Sequence, residues 1–414
     1  MRSIHRIIRH PLTANTLAAS LTQLSNFLPL LLLPILSERL TIERFGTVSM
    51  VLSLCQLSLI VTDFGHGLSS IHRISRHRED HTLIGKLLGS VLVGKLPLVA
   101  IASLITLLVP IFSSIYRQEA SIFALGIFAI VGQAYQANWL FIGLERIKIV
   151  TFYSISTKAL YLLSVILFVH NDDDVWLVIL GWGFAQLAAA ALSIMKIYGI
   201  GLRILRPSSK EVIQEFRSAL PFFTSRIAVA TYTSAATTVV GLSGQAQAAQ
   251  FYACQQVYRI GSALPVNQVL YPFMAKKRNW RLFLQITLGS TVILSLIAGL
   301  LATFSGELLQ HTLGAEFLQA QTSFIVLLGA MVVSYLAAAF GYPAFAALDR
   351  LDIANRTVVI ASLANAIILL CLYISDHINA LSVSMAILGT ELFVLFLRIT
   401  ALCRIQKSNS QPSI

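Results

Sequence analysis

Long apolar segments separated by short polar connections dominate the sequence. A helix of about 20 mostly apolar residues crosses a bilayer, and twelve segments meet that condition. They cover residues 13–36, 47–68, 87–110, 120–142, 149–169, 175–197, 219–243, 248–272, 282–303, 321–346, 354–374 and 379–402. The pattern therefore predicts twelve transmembrane helices, which we number as spans 1 to 12.

The composition supports a membrane protein and excludes several functional classes. Of the 414 residues, 56% are hydrophobic and 12% are charged, whereas soluble domains average about 25% charged residues. The four cysteines lie in or beside apolar segments without a CxxC pair, which predicts neither a disulfide framework nor a zinc site. The P-loop, GxSxG and HExxH motifs are not found. We expect no metal, no cofactor and no catalytic residues.

The basic residues define a topology. With the N-terminus in the cytoplasm, 23 of the 30 Lys and Arg fall on the cytoplasmic side, three on the opposite side and four inside the spans. Positively charged loops stay in the cytoplasm, so we predict that both termini are cytoplasmic. The net charge of +12 is then a property of membrane topology and does not indicate nucleic acid binding. The basic N-terminal segment leads into an apolar run without a cleavage site, which favours a retained first span.

A polar connection divides the chain into similar halves. It is the longest on the cytoplasmic side, and it suggests an N-terminal lobe of residues 1–197, a connection of residues 198–218 and a C-terminal lobe of residues 219–414. Six plus six spans around a central cavity are common in secondary transporters. No repeat between the halves is evident. Around the start of span 3, Gly85, Gly89 and Gly94 predict close packing against another helix.

Four basic residues fall inside predicted spans: Lys95, Lys158, Arg226 and Arg259. A Lys or Arg at the bilayer centre costs about 2.5–3.5 kcal/mol on insertion scales. One explanation is a water-filled cavity in which an anionic ligand offsets the charges. The alternative is that each side chain extends to the headgroups, which is hardest for Arg259 because it lies near the middle of span 8.

Two acidic residues also fall within spans. Glu391 lies midway along span 12, where it is either a coupling-ion or proton site or the ion-pair partner of a cavity cation. Asp63 lies near the inner end of span 2 in the stretch VTDFGHGLSS. For Asp63 we favour a structural role as a helix-end carboxylate.

Uncharged polar residues share faces of several spans. In span 1, Asn26 lies on the same face as Asn15 and Gln23, and in span 8 Gln255 is one turn from Arg259. Such residues hold helices together or line a cavity for a polar, sugar-like cargo. We take Asn26 and Gln255 as candidate cargo contacts, together with the four cations.

Several of these segments resemble one membrane protein family. The stretches are Asn15–Ser49, DFGHGLSSIHRISR from Asp63, QANWLFIGLERIKIVTFYSISTKAL from Gln136, AAQFYACQQVYRIGSALPVNQVLYPFMAK from Ala248 and LGAEFLQAQTSF from Leu313. They are similar to bacterial O-antigen and polysaccharide flippases of the Wzx type, in the multidrug/oligosaccharidyl-lipid/polysaccharide (MOP) exporter superfamily. Cys254, Gln255 and Gln256 replace an Ala-Glu-Lys triplet that is frequent in the family.

The resemblance implies a flippase of the bacterial inner membrane. Its cargo would be an oligosaccharide linked to undecaprenyl diphosphate, moved from the cytoplasmic to the periplasmic leaflet by alternating access. Its other expected partners are membrane lipid and membrane proteins of polysaccharide assembly. A diphosphate suits a cationic cavity. The alternatives are a drug/cation antiporter of the same superfamily, which needs an acidic cavity, and a lipid II flippase, which often carries extra C-terminal helices. From another class, the alternative is a glycan polymerase or ligase, which needs a larger outer loop.

Overall fold

The computed structural model describes residues 25–262 and 266–409, and within those ranges the chain is helical without a β-strand. Short 3₁₀ segments, such as Ser25–Leu31, precede some of the α-helices. The α-helices are α1 Leu32–Arg39, α2 Ile42–Asp63, α3 His66–Arg76, α4 His81–Phe112, α5 Ala120–Ala134, α6 Asn138–Gly143, α7 Ile147–Phe168, α8 Val175–Gly199, α9 Ser209–Thr233, α10 Ala235–Gly241, α11 Gln245–Ser262, α12 Val266–Lys277, α13 Trp280–Thr303, α14 Ser305–Leu313, α15 Gln321–Ala339, α16 Tyr342–Ala346, α17 Leu351–Ile374 and α18 Ala380–Asn409.

Among the described residues, nine helical stretches are long and apolar enough to cross a membrane. They are Ile42–Asp63, His81–Phe112, Ser114–Gly143, Ile147–Phe168, Asp172–Gly199, Trp280–Thr303, Ala315–Ala346, Leu351–Ile374 and Ala380–Ile405. Each corresponds to one predicted span, which confirms an all-α, multi-pass membrane protein. Of the other three predicted spans, 13–36 and 248–272 include residues outside the described ranges, and 219–243 is divided between α9 and α10. The count of twelve and the cytoplasmic termini stay predictions.

The chain forms two compact units, Met1–Ile227 and Ala228–Ile414. In the first, α5 and α8 pack closely because Gly132 has no side chain: a Cβ there would lie 2.5 Å from the carbonyl carbon of Gln186. Around this pair, Trp139, Phe141 and Tyr153 are buried in one apolar cluster.

Gly85 and Gly89 of α4 pack against the connection that follows α8. A Cβ on Gly89 would lie 1.8 Å from the carbonyl oxygen of Leu205, and the amide of Leu205 donates to the carbonyl of Gly85 at 3.1 Å. The glycines thus mark a close approach, as predicted. However, the partner of Gly85 and Gly89 is a non-helical segment of the chain, so the expectation of a helix at these two positions was wrong.

The Asp-Phe-Gly motif turns the chain from α2 into α3. Phe64 and Gly65 adopt left-handed backbone angles, with φ of 44° and 79°. A Cβ on Gly65 would lie 2.6 Å from the carbonyl oxygen of Ala219 in α9, and Phe64 stacks on Phe223 with ring centroids 4.3 Å apart. The motif therefore provides the surface on which the first half of α9 packs.

Ion pairs add to this packing. Arg73 of α3 contacts the buried carboxylate of Glu215, and Lys86 of α4 lies 3.3 Å from Glu211. The first turns of α9 are therefore held against α3 and α4 within the first unit.

The same turn is found in both units. The sequence FIGLERIKI (141–149) joins α6 to α7, and FAALDRLDI (345–353) joins α16 to α17. Glu145 and Asp349 occupy the same place in the two sequences and both have a left-handed backbone, with φ of 58° and 55°. The following amide in each case donates to the carbonyl of the leading phenylalanine, at 2.7 Å to Phe141 and 3.0 Å to Phe345.

The acidic residue of each turn also pairs with an arginine that precedes a long helix of its own unit. Arg78 bonds Glu145 at 2.6 Å ahead of α4, and Arg278 bonds Asp349 at 2.7 Å ahead of α13. The two units thus share this local turn and its arginine partner.

Candidate functional site

Lys95 is buried inside the first unit. Its side chain on α4 is 3% exposed, and its ammonium donates to the carbonyl oxygen of Ala134 at 2.7 Å. Ala134 is the last residue of α5, so its carbonyl has no amide partner within that helix. The positive charge also lies at the negative end of the helix dipole. Lys95 therefore stabilises a helix end inside an apolar span.

Polar side chains surround this helix end. The Gln133 Oε1 and the Tyr135 hydroxyl flank Ala134 in sequence, are buried and have no hydrogen-bond partner. Gln136 donates to Gln186 Oε1 of α8 at 2.6 Å. The interruption between α5 and α6 is therefore a polar region with unused hydrogen-bonding capacity.

Lys158 lies on α7 and is half-buried. Its ammonium donates to the hydroxyl of Ser25 at 2.8 Å. This bond joins α7 to the 3₁₀ segment Ser25–Leu31 of predicted span 1. The side chains of Asn26 and Arg226, two further candidates, lie outside the described residues.

Gln255 and Arg259 lie on α11 in the second unit. Gln255 is fully buried, and its Oε1 accepts a hydrogen bond from the hydroxyl of Thr237 on α10 at 2.8 Å, so it joins two helices. Arg259 is half-buried, with Tyr252 and Tyr258 near enough to act on its charge.

Glu391 is buried on α18, with 4% of its surface exposed. Its Oε1 accepts a hydrogen bond from the hydroxyl of Tyr258 at 2.7 Å, and Ser334 of α15 is a second hydrogen-bond partner. The structure thus places Glu391 in contact with Tyr258, the residue that precedes Arg259 in the sequence. A buried carboxylate bonded by two hydroxyls is able to hold a proton or to stay ionised.

Asp63 closes the turn of the Asp-Phe-Gly motif. Its Oδ1 accepts a hydrogen bond from the amide of Gly67 at 3.2 Å, in the first turn of α3. The carboxylate therefore satisfies one of the free amides at a helix start.

The sequence reasoning missed Arg398. Its place near the end of span 12 put it among the cytoplasmic cations, but its side chain is only 5% exposed. It donates to the carbonyl of Ala337 near the end of α15, to the carbonyl of Ala354 at 3.4 Å and to the hydroxyl of Thr357 at 3.3 Å. The available signal was its spacing from Glu391, since residues seven apart share a helix face.

Arg398 has room because Gly341 follows α15. A Cβ on Gly341 would lie 2.6 Å from a terminal guanidinium nitrogen of Arg398. Lys95 and Arg398 are thus alike: each is a buried cation that bonds a carbonyl in the last turn of a helix. Among residues 25–262 and 266–409, no group of His, Cys, Asp and Glu is arranged to hold a metal ion.

Comparison with known proteins places the chain among polysaccharide-assembly proteins. Residues 12–277 match the family described as polysaccharide biosynthesis protein. A putative O-antigen transporter of Escherichia coli strain K12 is 23% identical over 340 residues, covering 80% of this chain and 76% of that protein. A protein of the same description from Shigella dysenteriae is 24% identical over 64% of this chain and 68% of that protein.

Two solved structures share the fold. The lipid II flippase MurJ in an inward closed conformation has a TM-score of 0.74 at 13% identity, over 93% of this chain and 87% of its own. An inward-facing multidrug resistance MATE family transporter of the MOP superfamily has a TM-score of 0.66 at 13% identity, over 95% and 96% of the two chains. The chain therefore shares the fold of these two transporters.

Proposed function

Because the chain belongs to the polysaccharide biosynthesis protein family, we propose that it is a flippase for a lipid-linked oligosaccharide of the O-antigen type. The cargo would be carried on undecaprenyl diphosphate and moved from the cytoplasmic to the periplasmic leaflet of the bacterial inner membrane. The names of the two relatives and the likeness to a lipid II flippase support this proposal.

The observation that carries the proposal is the presence of half-buried cations within predicted spans. Lys158 lies on α7 in predicted span 5 and Arg259 on α11 in predicted span 8, and each keeps part of its surface exposed. A diphosphate is the part of the cargo that a bilayer core excludes most strongly, and charge-assisted hydrogen bonds from Lys and Arg replace its hydration. We propose that Lys158, Arg226 and Asn26 of the first unit are contacts for the diphosphate-linked cargo, and that Arg259 of the second unit is a further diphosphate contact.

Lys95 contributes differently to this site. Because its side chain is buried, unlike that of Lys158, and its ammonium is bonded to Ala134, we propose that it shapes the polar interruption after α5 and adds positive potential there. The unpartnered polar atoms of Gln133 and Tyr135 would then bond sugar hydroxyls. In the second unit, we propose that Gln255 keeps α11 in place for the cargo through its bond with Thr237 of α10.

We propose alternating access as the mechanism, with Glu391 as the site at which a coupling proton or cation acts. Protonation of a carboxylate buried beside Tyr258 removes a charge that is costly to keep in an apolar interior. Gain or loss of this proton would therefore shift the equilibrium between two conformations.

Complementation of a deletion strain tests the transport function. Without the protein, lipid-linked oligosaccharide should accumulate on the cytoplasmic leaflet. If the protein were a polymerase or ligase, its loss would instead leave the lipid-linked oligosaccharide on the periplasmic leaflet. That result would exclude the flippase.

The cationic site is tested with Lys158→Ala and Arg259→Ala at matched membrane levels. Both should lose surface polysaccharide, whereas Lys158→Arg and the exposed control Lys210→Ala should retain it. Wild-type surface polysaccharide in both alanine variants would show that these cations do not hold the cargo.

A further inference from the structure

A small groove opens between α7 and α8, and none of the candidate transport residues lines it. It has a volume of about 260 Å³ and is lined by Lys148, Ile149, Phe152, Tyr153, Leu192 and Lys196. Its walls are apolar or aromatic, and both of its charged side chains are lysines.

The two lysines are available for a ligand. Both are exposed, and within the described part of the chain neither ammonium forms a hydrogen bond or an ion pair. The nearby carboxylate of Glu145 does not neutralise them, because it is bonded to Arg78 at 2.6 Å. The groove therefore carries an uncompensated positive charge.

On the predicted topology, the groove lies in the cytoplasmic headgroup layer. Lys148 is the second residue of α7 and Lys196 lies in the last turn of α8, at the ends that the distribution of basic residues places in the cytoplasm. Toward the bilayer, exposed apolar side chains continue the wall of the groove: Phe152 is 61% exposed and Met195 is 67% exposed. An acyl chain would lie along this surface.

From these features we propose that the groove binds one anionic phospholipid of the inner leaflet. The phosphate lies between Lys148 and Lys196, and the acyl chains run along Ile149, Phe152 and Leu192. Basic pockets between transmembrane helices at this depth suit anionic headgroups. A zwitterionic lipid fits less well, because none of the six lining residues is acidic and its ammonium would face two lysines.

Lipid binding by the purified full-length protein tests the site. Native mass spectrometry or titration in lipid nanodiscs would compare phosphatidylglycerol, phosphatidylethanolamine, phosphatidylcholine, inorganic phosphate and undecaprenyl phosphate. Each lysine near the surface raises the affinity for an anionic lipid about fivefold. The variant K148Q/K196Q should therefore bind phosphatidylglycerol about 30-fold more weakly. The exposed-lysine control K210Q/K276Q should bind like the wild type.

Two further variants separate binding from folding. K148R/K196R keeps both charges and should keep its binding of phosphatidylglycerol. Phe152→Ala should weaken that binding without changing the charge of the groove. The proposal is overturned if K148Q/K196Q binds phosphatidylglycerol like the wild type or if phosphatidylcholine binds as well. Tighter binding of undecaprenyl phosphate than of phosphatidylglycerol would assign the groove to the cargo and overturn the phospholipid as its occupant.

Discussion

The ammonium of Lys95 donates a hydrogen bond to the carbonyl oxygen of Ala134 at 2.7 Å, at the point where α5 ends inside the protein. This pairing explains how a lysine is tolerated in the middle of an apolar span. The charge is bonded to a backbone group that would otherwise be buried without a partner, and both groups gain from it. A basic residue within a span is thus evidence of a polar partner, and that partner need not be a ligand.

We predict that Lys95→Met opens the end of α5. The carbonyl of Ala134 would lose its donor, and a buried unsatisfied group costs about 1–3 kcal/mol. Hydrogen exchange of the amides from Gly132 to Asn138 should become about tenfold faster or more. The matched variant Lys158→Met should leave that segment protected, and equal protection in both variants would contradict the role given to Lys95.

Arg398 fulfils the same role in the second unit with more bonds. Its guanidinium joins α15 to α17 through the carbonyls of Ala337 and Ala354, and its charge acts on Glu391 of its own helix. Arginine suits this position because its planar group donates in several directions at once.

We predict that Arg398→Leu destabilises the protein by about 1–3 kcal/mol for each group left unsatisfied. Thermal unfolding in detergent would measure the change, and Arg398→Lys should recover only part of it. Arg404→Leu, an exposed change on the same helix, is the control. An Arg398→Leu variant as stable as this control would show that the three bonds contribute nothing.

The sequence predicted the helices more successfully than their partners. Apolar length alone located nine spans, because a bilayer imposes one length on every helix that crosses it. The close approach at Gly89 was also predicted, since a missing side chain is visible in the sequence. That an extended connection fills the space was not, because composition does not show which segment folds back.

The turns at Glu145 and Asp349 show a similar limit. The two stretches share only a few residue types, namely a leading Phe, a Leu, an acidic residue, an Arg and an Ile. In a chain that is 56% hydrophobic, so short a match is not distinctive. The common left-handed acidic residue and its arginine partner make the match meaningful, and both are properties of the folded backbone.

We predict that Gly89→Ala displaces the connection between α8 and α9. The added carbon would lie 1.8 Å from the carbonyl oxygen of Leu205, which no real contact tolerates, so the segment must move. Limited trypsin digestion should then cleave faster after Arg203, whereas Arg206 precedes Pro207 and should stay resistant. Lipid reconstitution before digestion restricts the protease to exposed loops.

Two glycines of α13 provide the control for this change. A Cβ on Gly289 or Gly299 would meet nothing within 4 Å, and alanine is favoured over glycine within a helix by about 0.5–1 kcal/mol. Gly289→Ala and Gly299→Ala should therefore digest like the wild type. Unchanged cleavage after Arg203 in Gly89→Ala would mean that the connection does not pack on Gly89.

The start of α9 should loosen in acid. Ser208 and Glu211 form a reciprocal cap: the Ser208 amide and hydroxyl donate to Glu211 Oε2 at 2.7 and 2.9 Å, and the Glu211 amide donates to Ser208 Oγ at 3.3 Å. These bonds lower the pKa of Glu211 below its ordinary value, and the nearby ammonium of Lys86 lowers it further. A carboxyl with a lowered pKa stabilises the fold above its unfolded pKa, and this contribution is lost as the pH falls through the folded value.

We therefore predict that amides at the start of α9 exchange faster, after correction for intrinsic rates, as the pH drops below the ordinary range of a glutamate. Glu211→Gln cannot ionise, so its exchange should be faster than that of the wild type at neutral pH and should change less in acid. Glu307→Gln, an acidic residue in the first turn of α14, is the control and should keep the wild-type profile at α9. A Glu211→Gln profile that follows the wild type at every pH would show that the cap does not hold this helix start, because the loss of a charged acceptor must weaken the bonds from Ser208.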